Sequence, residues 1–75
     1  MEQVYMLISS EIGEEYSLYL QLKEIPEIKD CTVTFGNYDI VAKFETNTVQ
    51  EMNDLISYKV RKLEKVRSTI TLRII

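Results

Sequence analysis

Residues 31–45, CTVTFGNYDIVAKFE, decide how this chain folds. Cys31, Val33 and Phe35 alternate with Thr32 and Thr34, and Ile40, Ala42 and Phe44 alternate with Val41, Lys43 and Glu45. A period of two is the pattern of a β-strand, whose successive side chains point to opposite faces. Gly36-Asn37 between the two runs is a turn signal. The stretch therefore reads as a hairpin of two antiparallel strands.

On the N-terminal side of the hairpin the pattern changes to that of a helix. Leu18, Leu22 and Ile25 stand at i, i+4 and i+7 and make one apolar stripe. Glu11, Glu14 and Glu15 cluster where this helix starts, where negative charge suits the helix dipole. Pro26 stops it, and Ile28 packs just beyond the stop. Before the break at Ser10 to Gly13, residues Val4 to Ser9 form a short apolar run, expected as a strand buried on both faces. On the C-terminal side, Thr48-Val-Gln-Glu51 fits a capping box, and Met52, Leu55, Ile56, Val60 and Leu63 supply the apolar face of a second helix. Its end is basic, with Lys59, Arg61, Lys62, Lys65 and Arg67. Ile70, Leu72 and Ile74 then alternate with Thr69, Thr71 and Arg73, which predicts a last strand running to the C-terminus.

The order β-α-β-β-α-β predicts an α+β, ferredoxin-like sandwich. Two right-handed crossovers joined by a hairpin give a four-stranded antiparallel sheet with both helices on one face. Seventy-five residues allow one domain, spanning 1–75, and no linker or low-complexity segment divides it. The face without helices is not wholly polar. Tyr5 and Leu7 lie opposite Val4, Met6 and Ile8, Val41 lies opposite Ile40, Ala42 and Phe44, and Ile75 adds to the same side. An uncovered apolar sheet face marks an interface, and a chain this short buries only about 60% of its unfolded surface by itself. A homodimer packed sheet to sheet is expected; the alternative is that Lys43 and Arg73 drape their aliphatic stems over the open face.

Composition removes several classes of function. An apolar fraction of 45% against 28% charged residues places the chain among folded proteins, not disordered ones. The single cysteine, Cys31, forms no internal disulfide and reads as a small core residue. There is no histidine, so serine–histidine and cysteine–histidine nucleophiles are excluded and a zinc site would have a poor ligand set. A net charge of −3 argues against binding nucleic acid, which needs a basic field. No apolar stretch approaches the roughly 20 residues of a membrane span. The first strand begins almost at once, so no signal peptide is expected and the protein is expected to be cytoplasmic. Acylphosphatases share this fold but use an arginine in a glycine-rich phosphate loop, which this sequence lacks, and the paired cysteines of a metal chaperone are missing too. No enzymatic activity, metal or cofactor is expected.

Two stretches carry binding chemistry. In Phe35-Gly36-Asn37-Tyr38-Asp39, glycine admits close approach, Asp39 offers a carboxylate to an ammonium group, and Tyr38 gives a flat wall with a polar tip. The same residues also make a simple hairpin turn. In Arg67-Ser68-Thr69-Ile70-Thr71, hydroxyls and main-chain groups line the entrance to the last strand, although threonine is common in strands for its β-branching alone. The basic end of the second helix complements that helix's C-terminus.

Taken together, the element order, Gly36-x-Tyr38-Asp39, Val66-x-x-Thr69-x-Thr71 and the run Leu18, Leu22, Ile25, Pro26, Ile28 resemble the regulatory, amino-acid-binding (RAM) domain of the Lrp/AsnC transcriptional regulators. The resemblance covers essentially all 75 residues and departs at Lys65, where the family often has glycine. It implies a stand-alone sensing module without the family's helix-turn-helix domain. It also implies dimers that assemble into rings, commonly of four dimers, which is an octamer. An effector, typically an amino acid, would sit between dimers at Gly36, Asn37, Tyr38 and Asp39, with Ser68, Thr69 and Thr71 opposite. The function implied is regulation of transcription through assembly with, or competition against, helix-turn-helix-containing members. The alternative is a purely structural oligomerisation module without ligand.

Overall fold

The computed structural model describes residues 1–75. Strand β1 (Glu2–Ser10) leads through a loop into helix α1 (Glu15–Lys23), then β2 (Ile28–Val33), β3 (Ile40–Thr46), helix α2 (Val49–Asp54) and β4 (Val66–Arg73). The sheet order is β2-β3-β1-β4, with every neighbouring pair antiparallel. This is the ferredoxin-like α+β arrangement expected from the alternating hairpin and the two crossover helices.

The core follows from the alternation. Val4, Met6 and Ile8 of β1 and Ile40, Ala42 and Phe44 of β3 point to the same side and are fully buried. Leu18 and Leu22 of α1 cover them, together with Met52, Leu55, Ile56 and Val60 of the second helix. The first helix ends before Pro26, as predicted, with Ile25 N–H bonding Leu22 O. Thr48 caps α2, its Oγ1 accepting from Glu51 N–H at 3.1 Å. Beyond Asp54 the helix continues as a π-helical segment, Leu55–Val60, closed by Arg61 N–H to Ile56 O. Sequence periodicity gave no sign of this widening, and Leu63 falls outside the helix. Ile28, placed just after the proline stop, is in fact the first residue of β2.

Two expectations about the faces are corrected. β1 is not buried on both sides: Tyr5 is 39% exposed, because helices supply only one covering layer. In β4 the apolar residues face away from the helices. Ile70 pairs with Leu7 and Leu72 with Tyr5, both on the open side, while Thr69 and Thr71 pair with the core residues Ile8 and Met6. The cause is a β-bulge. Ser10 is opposite Val66 and Ser9 is opposite Ser68, which leaves Arg67 as an extra residue and reverses the alternation that follows. The open face is consequently more apolar than predicted, with Ile70 at 41% and Leu72 at 50% exposure beside Tyr5. Ile75 extends beyond the strand and is fully exposed. Of the two stems expected to drape this face, only Lys43 does so, its Nζ lying 5.7 Å from the centre of the Tyr5 ring. Arg73 is on the helix side, bonded to Asn53 Oδ1 at 2.7 Å.

Cys31 packs against the edge of the core as a free thiol. Burial pushes its pKa from 9.0 up to about 11, with Lys23 opposing the shift and Asp30 adding to it. The thiolate is the nucleophile, so alkylation of Cys31 by iodoacetamide is expected to be slow at pH 8 and to rise with a midpoint near 11. A midpoint near 9.0, read from the initial rates on folded protein, would show the thiol to be solvated.

Candidate functional site

The β1–α1 loop, the β2–β3 hairpin and the bulge at the start of β4 meet at one end of the sheet. They enclose an open cavity of about 330 Å³, lined by Ser9 to Gly13, Glu15, Gly36, Asn37, Asp39 and Arg67. Both glycines of the chain lie on it. Gly13 has φ +79° and Gly36 φ +127°, a region L side chains rarely adopt, and a Cβ at either would meet nothing within 4 Å. Backbone conformation, not lack of space, therefore requires glycine at these two turns.

Asp39 holds this corner together. Its backbone N–H bonds Ile8 O at 2.9 Å and its carbonyl accepts from Thr34 N–H at 2.8 Å. Its carboxylate Oδ2 accepts from Ser10 N–H at 2.8 Å and Ser10 Oγ at 3.3 Å. Nearby, Ser9 Oγ donates to Asn37 O at 3.3 Å and Thr34 Oγ1 to Tyr38 O at 2.8 Å. The hairpin is thus stitched to β1 by the residues that make its turn. Glu11, Glu15, Asp39 and Arg67 all line the cavity. A site with carboxylates and one fixed fork of donors is chemically matched to a small zwitterion, whose ammonium and carboxylate need opposite partners.

The predicted site residues do not all converge within one chain. Gly36, Asn37 and Asp39 line the cavity, and Tyr38 contributes its backbone to the same turn. Ser68 is paired with Ser9 on the open face. Thr69 is on the helix side, where its Oγ1 accepts from Arg61 Nε at 3.4 Å, and Thr71 lines a different cleft. Arg67 is the residue the sequence pattern passed over: it stood at the head of the right stretch, but only the bulge turns it to the cavity. Lys65, at the position where glycine is common in the resembling family, ties the entry of β4 to α1. Its Nζ bonds Ser17 Oγ at 2.6 Å and lies 3.6 Å from Glu14, and its carbonyl accepts from Glu11 N–H at 2.9 Å. No residue other than glycine has positive φ, so lysine fits here without strain. Among all the side chains, no group of three or more metal-ligating residues comes together, and no helix is long and apolar enough to cross a membrane.

Comparison with known proteins gives the same family that the motifs suggested. Regulatory protein AsnC of Haemophilus influenzae is 31% identical over 52 residues, covering 69% of this chain and 35% of that protein. The chain thus spans about a third of the length of this curated relative. The crystal structure of hypothetical protein PHS023 from Pyrococcus horikoshii superposes with a TM-score of 0.95 at 31% identity, covering 100% of this chain and 90% of that one. The fold extends to the transcriptional regulator NMB0573, solved as an L-Met complex, from Neisseria meningitidis, with a TM-score of 0.87 at 10% identity over 99% of this chain and 49% of that one. Residues 4–75 match the Lrp/AsnC ligand binding domain, and the chain belongs to that family.

Proposed function

We propose that this domain senses an amino acid at the Asp39 cavity and transmits binding through its own assembly. The observation that carries this is that three acidic residues, Glu11, Glu15 and Asp39, and one basic residue, Arg67, line a single cavity shaped by two obligatory glycines. Asp39 Oδ2 is engaged by Ser10, which leaves its other oxygen for an ammonium group. The cavity is open on one chain, and the apolar side chains of Ile12 and Phe35 stand almost fully exposed in the loops around it. A second dimer laid over this rim covers both and brings Ser68, Thr69 and Thr71 of another copy toward Gly36, Asn37, Tyr38 and Asp39. Ligand binding then favours the assembled ring, with four dimers as the expected closed form, by mass action. That a regulator of the same fold is an L-Met complex supports an amino acid as the effector class. Output runs through assembly with, or competition against, family members that carry a helix-turn-helix, without enzymatic chemistry.

Sedimentation velocity with a panel of the common amino acids tests this. One amino acid is expected to shift the protein to a larger species. Asp39→Ala abolishes the shift but also strips Ser10 N–H of its acceptor, at a cost of about 1–3 kcal/mol. Asp39→Asn keeps an acceptor for Ser10 and removes only the charge, so it is expected to fold normally and still lose the response. An oligomer that ignores every amino acid would instead favour a structural assembly module.

A further inference from the structure

At the other end of β4, on the helix side, is a second and larger cleft of about 510 Å³. It is lined by Asn53, Ile56, Ser57 and Arg61 of the second helix and by Thr71 and Arg73 of β4. Five of these six side chains are polar, although the cleft lies between a helix and a sheet, where apolar packing is the rule. Two local features produce it. The bulge at Arg67 turns Thr71 and Arg73 toward the helix in place of Ile70 and Leu72. The π-helical segment Leu55–Val60 widens the helix beside them and bears Ser57, with Arg61 directly after it. Such π-segments occur frequently at functional sites.

The electrostatics of the cleft are opposite to those of the chain, whose net charge is −3. Arg61 and Arg73 both border it, and Glu2, at 3.9 Å from Arg73, is the only carboxylate within 4.0 Å of either guanidinium. Arg73 rests on the amide oxygen of Asn53 at 2.7 Å, and Arg61 on the hydroxyl of Thr69 at 3.4 Å, both neutral acceptors. Beneath them, Thr71 Oγ1 is shut off from solvent with no hydrogen-bond partner, and it is the one buried side-chain polar atom in this condition. Orphaned buried polar atoms are uncommon and call for a partner. Two planar forks, Arg61 with no carboxylate within 4.0 Å and Arg73 with Glu2 alone at 3.9 Å, next to the amide of Asn53 and the hydroxyl of Ser57, match the geometry of a carboxylate or phosphate.

From these observations we infer that the cleft between the second helix and β4 binds a small polyanion through its oxyanion groups, with Arg61 and Arg73 as the two clamps. Within one chain it is separate from the Asp39 cavity: Arg67 at one and Arg73 at the other are about 20 Å apart along the strand. It also lies on the face opposite the apolar open side, so pairing through that side leaves it accessible. The source of the oxyanion, a phosphate ester or a polycarboxylate, is decided by titrating the intact chain with inorganic pyrophosphate and with citrate at constant ionic strength. Binding is read from the arginine Nε–H resonances in NMR and from calorimetry.

One of the two probes is expected to move the Arg61 and Arg73 signals selectively. Arg61→Gln and Arg73→Gln are each expected to weaken it about tenfold or more, the loss of one charge-assisted hydrogen-bonded partner. Arg61→Lys, which keeps the charge and loses the fork, is expected to fall between Gln and wild type. Asp39→Asn is expected to bind the probe as wild type does, which separates this site from the proposed sensing site. Shifts reproduced by chloride at equal ionic strength, shifts that survive Arg61→Gln with Arg73→Gln, or no shift with either probe would each overturn the assignment.

Discussion

Phe44→Ala is expected to remove most of the protein's stability. Phe44 is fully buried at the centre of the sheet, paired with Val4 on one side and Ile28 on the other. Truncating a buried phenylalanine costs about 3–5 kcal/mol, from lost transfer energy and from the cavity left behind. A 75-residue domain has about 4–11 kcal/mol in total at the usual 0.05–0.15 per residue. Phe44 is the largest of the fully buried side chains, so collapse around the void would require the sheet itself to move. Thermal unfolding followed by circular dichroism is expected to show the midpoint lowered by about 15–30 °C. A loss of only a few degrees would mean that the core is able to close over the gap and that Phe44 is not its keystone.

The second large effect is expected on assembly, with little effect on the fold. In a single chain, Ile70 and Leu72 are roughly half exposed, and exposed substitutions usually change stability by only about ±0.5 kcal/mol. If two open faces pack together, as the apolar sheet face leads one to expect, these same positions lie inside the interface beside Tyr5 and Leu7. A glutamate at each then becomes a buried, unpaired charge, which costs several kcal/mol. Ile70→Glu with Leu72→Glu is therefore expected to give a folded protein that sediments as one chain at concentrations where the wild type is at least a dimer. A double variant that keeps the wild-type mass would show that the sheets are not the pairing surfaces.

The two predictions separate what the sequence made legible from what it did not. Alternation and stripe spacing found every strand and helix, because burial of apolar side chains on one face is a local property of each segment. They did not find every end: Phe35, expected in the second strand, lies beyond it and is fully exposed, and Leu63 falls after the second helix. Asp39 and Gly36 were visible for the same reason: a turn residue and a φ requirement are local. The faces of β4 were not. Alternation says which residues share a side, but Ile70 and Leu72 look equally suited to either side of an edge strand. What decides between them is the pairing of Ser10 with Val66 and of Ser9 with Ser68, a long-range register. Arg67, Thr69 and Thr71 were displaced from their expected roles together by that one irregularity. The π-helical segment was hidden likewise, since Leu55, Ile56 and Val60 satisfy an α-helical stripe as well as a wider one.

The extra residue at Arg67 also has a consequence for how such a module changes over generations. Loss of the Arg67 codon would only remove the bulge and keep Ser68 opposite Ser9, whereas loss of one codon just beyond it, at Thr69, would carry Ile70 and Leu72 inward and Thr71 and Arg73 outward in one step. The share that β4 gives to the apolar surface and to the arginine cleft would be lost together, although no residue downstream had been substituted. Point mutations adjust this edge by degrees, whereas a length change of one residue switches it between two discrete identities. In a lineage of such domains, chain length between Ser68 and Leu72 is thus itself an inherited trait, and with pairing through the open face it would separate copies able to associate from copies that are not.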